Sequence, residues 1–530
     1  MGPTGNGLNG AEKVNDPGTS SSASPQTDGT DVGRRTALRV LVGLVLLGAA
    51  LRLVELGAQS FWVDELLTIK AAAVNGDFGV RDFLSNIQGP FHAWLVHVVA
   101  RVSTSEAALR SVSAVAGIAM IPVVYLLGRD MTDRRTGLVA AGLAAVSPFA
   151  IWYSQEVRNY SLLMLLSASS TLAAWRIVAR DGRARWGYVA STALALYCNL
   201  SAAFLWLAQS LFAVGRLVRQ RRFAQWVVVC VVVAALAAPM LLALTNWVRD
   251  DNVAERVRVA PLTDEGELLR GGTTFSPMAI PYSIYSMVYG YALGPGTREL
   301  HSGSPLGAFV PHLWLAIPAG LVAALGLLAG MRELWRLGAP GRLVAAVVAV
   351  PLASAAVLAL LNVKPFNVRY VAVMLPVVLV TLAAGVTSLP GRRGAWLCAA
   401  LVLFSIVSFG RYRTDPAYAR EDVRAAARYV AEREEPGDVV LVPVVRDVFT
   451  FYFEGTADEF VLYRGQTRSD ESVAQVVEDR TAGKRRLWFV ESRLWHMDPS
   501  ERTPRVLEER FERLDSREFD GVRLKLYELE

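Results

Sequence analysis

Apolar residues along the chain gather into long blocks separated by short charged loops. Each block approaches the ~20 residues that a bilayer-crossing helix needs. In order, the pattern predicts spans over about 37–57, 107–128, 136–153, 159–179, 186–199, 201–218, 223–245, 309–330, 342–361, 367–389 and 393–410, about eleven at roughly 17–25 residues each. The segments near 186–218 are short for this role. Pro90–Val102 (PFHAWLVHVVARV) breaks the series. It is short, carries His92, His97 and Arg101, and as a span would upset the alternation of loops. The expectation is a helix lying at the membrane interface or dipping partly in; a short span balanced by another crossing elsewhere is the alternative.

Both ends of the chain depart from this pattern. Residues 1–33 are rich in Gly, Ser, Thr, Asp and Pro, cannot bury a core, and read as a disordered tail. No apolar region starts near Met1, unlike a cleaved signal peptide. From Tyr412 onward charge becomes dense. Glu421–Glu434, Ser472–Thr481 and Thr503–Leu514 read as helices. Asp438–Val445, Phe449–Phe453, Glu459–Tyr463, Arg486–Glu491 and Val522–Glu528 read as short strands. The expected architecture is an all-α polytopic membrane domain over 34–410, after the 1–33 tail, followed by a soluble α/β domain over 411–530.

Composition and charge sharpen this picture. The chain is 53% hydrophobic and 19% charged, too few charges for an ordinary soluble protein of this size. Its net charge of +6 comes largely from arginines in short loops, so it signals orientation, not a nucleic-acid partner. Arg34, Arg35 and Arg39 precede the first span. Basic loops follow at Arg129/Arg134/Arg135, Arg180/Arg183/Arg185, Arg216/Arg219/Arg221/Arg222, Arg332/Arg336/Arg342 and Arg392/Arg393. Positive residues stay inside, which predicts a plasma-membrane protein with a cytoplasmic N-terminus and an extracytoplasmic C-terminal domain. Cys198, Cys230 and Cys398 fall inside apolar blocks, without metal-ligand spacing.

Four stretches could carry chemistry, all on the predicted outer side. Phe61–Lys70 (FWVDELLTIK) sets Asp64 and Glu65 beside the membrane edge, where ionised groups are costly and usually functional. On a helix the two point about 100° apart, so one suits a catalytic base and the other pairing or orientation; plain helix-capping charges are the bland alternative. Ile151–Leu162 (IWYSQEVRNYSL) offers Gln155 with Arg158 three apart and Glu156 with Tyr160 four apart, each pair able to share a helix face. Arg158 can grip a phosphate with two parallel hydrogen bonds. Trp152 and Tyr153 read as interfacial anchors, and a Glu156–Arg158 pair is the bland alternative there. Asn362–Tyr370 (NVKPFNVRY) adds Lys364 and Arg369, cations suited to an anionic lipid head group, ordinary phospholipid included. Pro281–Leu293 carries Tyr282, Tyr285 and Tyr289 at helical spacing within the long 247–308 loop, more suited to an interface than to stacking on sugar. His92 could hydrogen-bond a substrate, and a structural role is the commoner one for a lone histidine.

FWVDELLTIK, GPFHAWLVHVV, EAALRSVSAVAGIAMIPVVYLLGRD, SPFAIWYSQEVRNYSLLML and PFNVRYVAVMLP together resemble, in this order, the GT-C superfamily and its bacterial family 39 glycosyltransferases. That family includes protein O-mannosyltransferases, the aminoarabinose transferase of lipid A and the Rgt-type lipopolysaccharide transferases. The resemblance covers about residues 37–410. It implies Asp64 as catalytic base with Glu65 as its acidic neighbour, Gln155, Glu156 and Arg158 as the second motif, and Arg369 with Tyr370 near the donor phosphate. Two departures stand out: Pro90-Phe91-His92 where Pro-Pro or Pro-Leu is commoner, and EVRNY where EARMY is commoner. The implied activity is a hexosyl- or pentosyltransferase. It would move a sugar, with inversion, from a polyprenyl-phosphate donor in the membrane lipid to a cell-envelope glycan, lipid or protein. Phosphate leaves readily, so no metal is strictly needed, and assistance by a divalent cation stays open. A lipid or solute transporter and a non-catalytic glycan-binding membrane protein are the rival readings. The former would need polar groups at mid-depth.

Overall fold

In the computed structural model the chain is described at Gly2 and over residues 28–86, 89–179, 184–218, 222–249, 276–296, 299–300, 305–361 and 366–529. Most of the 1–33 tail and of the 247–308 loop, and Lys364, lie outside the described residues.

Every predicted span is helical. The helices run Asp28–Leu53, Glu106–Met131, Arg134–Val146 with Pro148–Ser154, Tyr160–Ala179, Arg185–Cys198, Ala202–Leu217, Phe223–Arg249, Leu313–Arg336, Ala339–Leu360, Val368–Ser388 and Arg392–Thr414. Among the described residues eight helices are long and apolar enough to cross a membrane, or nine if the bent pair counts as one span. The helices at 185–198 and 202–217 are about 21 and 24 Å long at 1.5 Å per residue, short of a ~30 Å hydrocarbon core. The expected eleven crossings therefore exceed what these lengths support. Pro90–Ala100 has 11 residues, about 16 Å, too short for a full crossing.

The bent pair turns by 52° at Ser147–Pro148. Proline supplies no N–H to the preceding turn, so carbonyls at the end of the first half lose their helical donors. Arg52 takes over. Its guanidinium, fully buried, donates to the carbonyls of Ala144 (2.9 Å), Ala145 (2.9 Å) and Gly48 (2.9 Å). Elsewhere two helices meet backbone to backbone. A Cβ placed on Gly330 would lie 1.8 Å from the Thr381 carbonyl oxygen, and one on Gly385 2.1 Å from that of Gly326. Only glycine allows Leu313–Arg336 and Leu375–Ser388 to approach this closely.

Past the bundle, a five-stranded sheet comprises β1 (Asp438–Leu441), β2 (Asp458–Phe460), β3 (Arg486–Glu491), β4 (Glu512–Phe519) and β5 (Val522–Glu528), in spatial order β2-β1-β3-β5-β4. β1 runs parallel to β2 and β3; β5 runs antiparallel to β3 and β4. Alternate residues face opposite sides. Val440, Trp488 and Leu524 pack with the Val423–Ala431 helix, while Leu441, Phe489 and Tyr527 pack with Val473, Val477 and Leu507. Two expectations are corrected. The 449–453 stretch is not a strand but part of the helix Arg446–Tyr452, because Val445, Val448 and Phe449 are buried at helical spacing. The helix expected over 503–514 stops at Arg510, and Glu512–Phe519 forms the edge strand β4.

Candidate active site

The helix Val63–Ala71 starts with two acids in its first turn, where the positive end of the helix dipole favours them. Glu65 reaches back to the Trp62 N–H (3.3 Å). The two side chains diverge as their spacing requires. Glu65 is fully buried and meets four further donors: Arg110 Nε at 2.9 Å and Nη2 at 2.9 Å, Arg420 Nη1 at 3.1 Å and the Val157 N–H at 2.8 Å. Burial by itself would raise its carboxyl, but the two guanidinium groups and these hydrogen bonds hold it below the usual carboxylate range. Of the two acids expected at this site, Glu65 is the one whose oxygens are enclosed by protein donors.

Asp64 stays partly open, its side chain 21% exposed. Its Oδ2 accepts from Arg369 Nη1 at 2.5 Å, across 305 positions of sequence. Arg369 belongs to the 3₁₀ segment Val368–Met374, begun by the Asn367 side chain accepting from the Arg369 N–H (3.1 Å). Arg158 completes the cluster. Its Nη1 donates to the Asp64 carbonyl (2.8 Å) and to Thr68 Oγ1 (3.2 Å). Each arginine also faces a tyrosine: Arg158 stands 5.6 Å from the Tyr160 ring and Arg369 5.7 Å from that of Tyr370. One acid, two cations and two phenol rings from three distant stretches thus converge at one end of the bundle.

The 155–159 segment is a break between the helices Pro148–Ser154 and Tyr160–Ala179, so the expected helix-face pairings do not form. Gln155 donates to the carbonyls of Arg52 (3.2 Å) and Val54 (3.1 Å), tying down the end of the first helix. Glu156 does not pair with Arg158. Its Oε1 accepts from Trp152 Nε1 (2.9 Å) and Arg420 Nη2 (3.2 Å), and its Oε2 is buried with no hydrogen-bond partner. Burial, opposed by Arg420 and reinforced by the neighbouring Glu65, lifts the Glu156 carboxyl to about 7. His92 is fully buried, its Nε2 3.3 Å from Ser113 Oγ, which donates to the Arg158 carbonyl (2.9 Å). It lines a small cavity with Thr68, Asn86, Arg158 and Asn159. Of the tyrosine ladder, Tyr289 is buried in the bundle and Tyr285 donates to the Leu293 carbonyl (3.2 Å). These rings therefore pack within the protein.

Arg110 and Arg420 escaped the sequence reading. Arg110 stood in plain view inside the EAALRSVSAV stretch, a cation in an apolar run that needs an anion. Arg420 carries no such mark among the many arginines past the last span.

The region 88–243 matches the family model described as dolichyl-phosphate-mannose-protein mannosyltransferase. No curated protein matches the chain. Among solved structures it is similar to ArnT from Cupriavidus metallidurans in the apo state (11% identity, 93% of this chain and 98% of that one, TM-score 0.55). It is also similar to the same protein bound to undecaprenyl phosphate (12%, 95% and 98%, TM-score 0.52). A third similar structure is the archaeal oligosaccharyltransferase AglB from Archaeoglobus fulgidus, in complex with an inhibitory peptide and a dolichol-phosphate (14%, 93% and 74%, TM-score 0.51). With its run of apolar helices and its appended sheet, the chain is a multi-pass membrane protein with the fold of the GT-C membrane glycosyltransferases.

Proposed function

We propose that this protein moves a hexosyl or pentosyl unit, with inversion, from a polyprenyl-phosphate donor to a hydroxyl on a cell-envelope glycan, lipid or protein. The contact between Asp64 and Arg369 carries the reading, because it sets a general base beside a phosphate-binding cation. The matched family description and the lipid phosphates held by two of the similar structures support the donor class. In the transfer, the donor phosphate engages Arg369 and Arg158 and draws Arg369 away from Asp64. Asp64 then takes the acceptor hydroxyl proton, the oxygen bonds to the anomeric carbon, and the bond from that carbon to the phosphate breaks. The two guanidinium groups stabilise the charge gathering on the departing phosphate. The basic loops put this end of the bundle on the extracytoplasmic side, with the N-terminus cytoplasmic. The proposed division is a tail over 1–33, a transferase domain over 34–410 and an extracytoplasmic domain over 411–530.

The test is transfer from a radiolabelled polyprenyl-phosphate sugar by purified protein. Asp64→Asn should lower turnover by about 10²–10⁴-fold with membrane insertion intact, and Arg369→Ala should weaken donor binding. An Asp64→Asn protein that inserts normally and keeps full turnover would sink the proposal.

A further inference from the structure

The candidate base and phosphate ligands all come from the bundle, yet one residue holding their loops does not. Arg420 lies in the connector between the Arg392–Thr414 helix and the Val423–Ala431 helix that packs on the sheet. Its side chain is 6% exposed. One guanidinium joins both loops: Nη1 donates to Glu65 (3.1 Å), and Nη2 donates to the Gln155 carbonyl (3.2 Å) and to Glu156 (3.2 Å). Glu65 is the neighbour of Asp64. Glu156 lies two positions before Arg158, which itself bonds the Asp64 carbonyl. Arg110, the other cation on Glu65, otherwise serves the carbonyls of Leu56, Gln59 and Ser60 and does not reach the second loop.

The C-terminal domain reinforces this bridge from outside. The Phe61 N–H donates to the Tyr452 hydroxyl (2.8 Å), which donates to Glu106 (2.8 Å). Ser60 Oγ donates to the Glu421 carbonyl (2.5 Å), and Arg424 pairs with Glu106 at 2.7 Å. The Phe61 ring sits 5.5 Å from Phe451 and 6.1 Å from Tyr452. The loop that carries Asp64 is therefore gripped on one side by the bundle and on the other by the sheet domain.

We infer that Arg420 is a positioning residue, through which the C-terminal domain sets the spacing of Asp64 and Arg158. This rests on the transfer reaction proposed above. It gives the domain a part in the reaction without touching substrate. Its reach depends on the fork of the guanidinium, which spans two loops at once; an ammonium can hold one of them.

The test uses the full chain in detergent, with radiolabelled polyprenyl-phosphate mannose as donor and amide hydrogen exchange as a readout that needs no turnover. In Arg420→Met, exchange should quicken at least tenfold at Val157 and through 61–66, with β3 protection unchanged. The kcat should fall about 10²-fold, the scale of a ~1 Å misplacement, with the donor KM within twofold. Arg420→Lys, which keeps the charge, should recover part of both and decides the matter if the Met variant does not fold. Wild-type exchange at Val157 in these variants would overturn the inference. So would a donor KM that rises as far as kcat falls, or loosening that spreads through the sheet, the mark of a merely structural role. If instead Asp64→Asn retains full turnover while Val157 loosens as expected, the proposed reaction fails and the bridge between domain and loops stands.

Discussion

At the scale of single residues, adjacent carboxylates in a low-dielectric setting have been driven apart by their partners. Glu65 has two guanidinium groups and a backbone N–H; Glu156 shares one cation and leaves an oxygen unpartnered. Their linkage to pH has opposite sign. The folded chain keeps the Glu156 proton up to about 7, whereas an unfolded carboxyl loses it near 4.5. Stability from this group is therefore full below 4.5 and is lost as pH rises through 7, a change on the order of 3 kcal/mol. Glu65, depressed in the fold, contributes above 4.5 and loses its contribution as pH falls. Thermal unfolding in detergent should show the wild-type midpoint dropping between pH 5 and 8 by more than that of Glu156→Gln. Glu65→Gln strands Arg110 and Arg420 and should cost about 3–5 kcal/mol, visible as a lowered midpoint at pH 7. The sequence made Asp64 conspicuous, since an acid beside an apolar block demands a reason. It did not reveal how fully Glu65 is enclosed, because its partners come from positions 110, 157 and 420.

At the scale of elements, helices were legible wherever an apolar block was long, and less so where partners decide the shape. The kink before Pro148 leaves carbonyls that Arg52 satisfies from another helix. Arg52→Leu should lower the unfolding midpoint by the ~1–3 kcal/mol that an unsatisfied buried polar group costs, and Arg52→Lys, with a point charge, should recover only part. Arg52 fell within the first predicted span, but its role depends on the bend, which hydropathy does not report. The 449–453 stretch misled because its alternating aromatics mimic a strand; Phe451 and Tyr452 actually face Phe61 from a short helix. β4 escaped because an edge strand with mostly exposed residues shows no buried stripe.

At the scale of the molecule, the sheet domain and bundle meet through several ion pairs of unequal weight. Lys70–Asp447 is over half exposed on both sides, and such pairs contribute ~0–1 kcal/mol. Lys70→Gln should leave the midpoint and turnover unchanged, unlike Arg420→Met. The order of the five motifs and their common side were legible in sequence, from the apolar blocks and the basic loops, whereas the contact of Asp64 with Arg369 was not, since sharing a side does not fix which loops touch. The glycine contact between Leu313–Arg336 and Leu375–Ser388 bears on that convergence. Ridge-free surfaces pressed this tightly cannot slip past one another without a collision of main chains, so the pair acts as a single rigid mast. The 3₁₀ segment bearing Arg369 leads directly into the second of these helices. In the proposed transfer the main chain of Arg369 therefore stays put, and only its long side chain swings: the guanidinium turns from Asp64 to the incoming phosphate on a fixed mount.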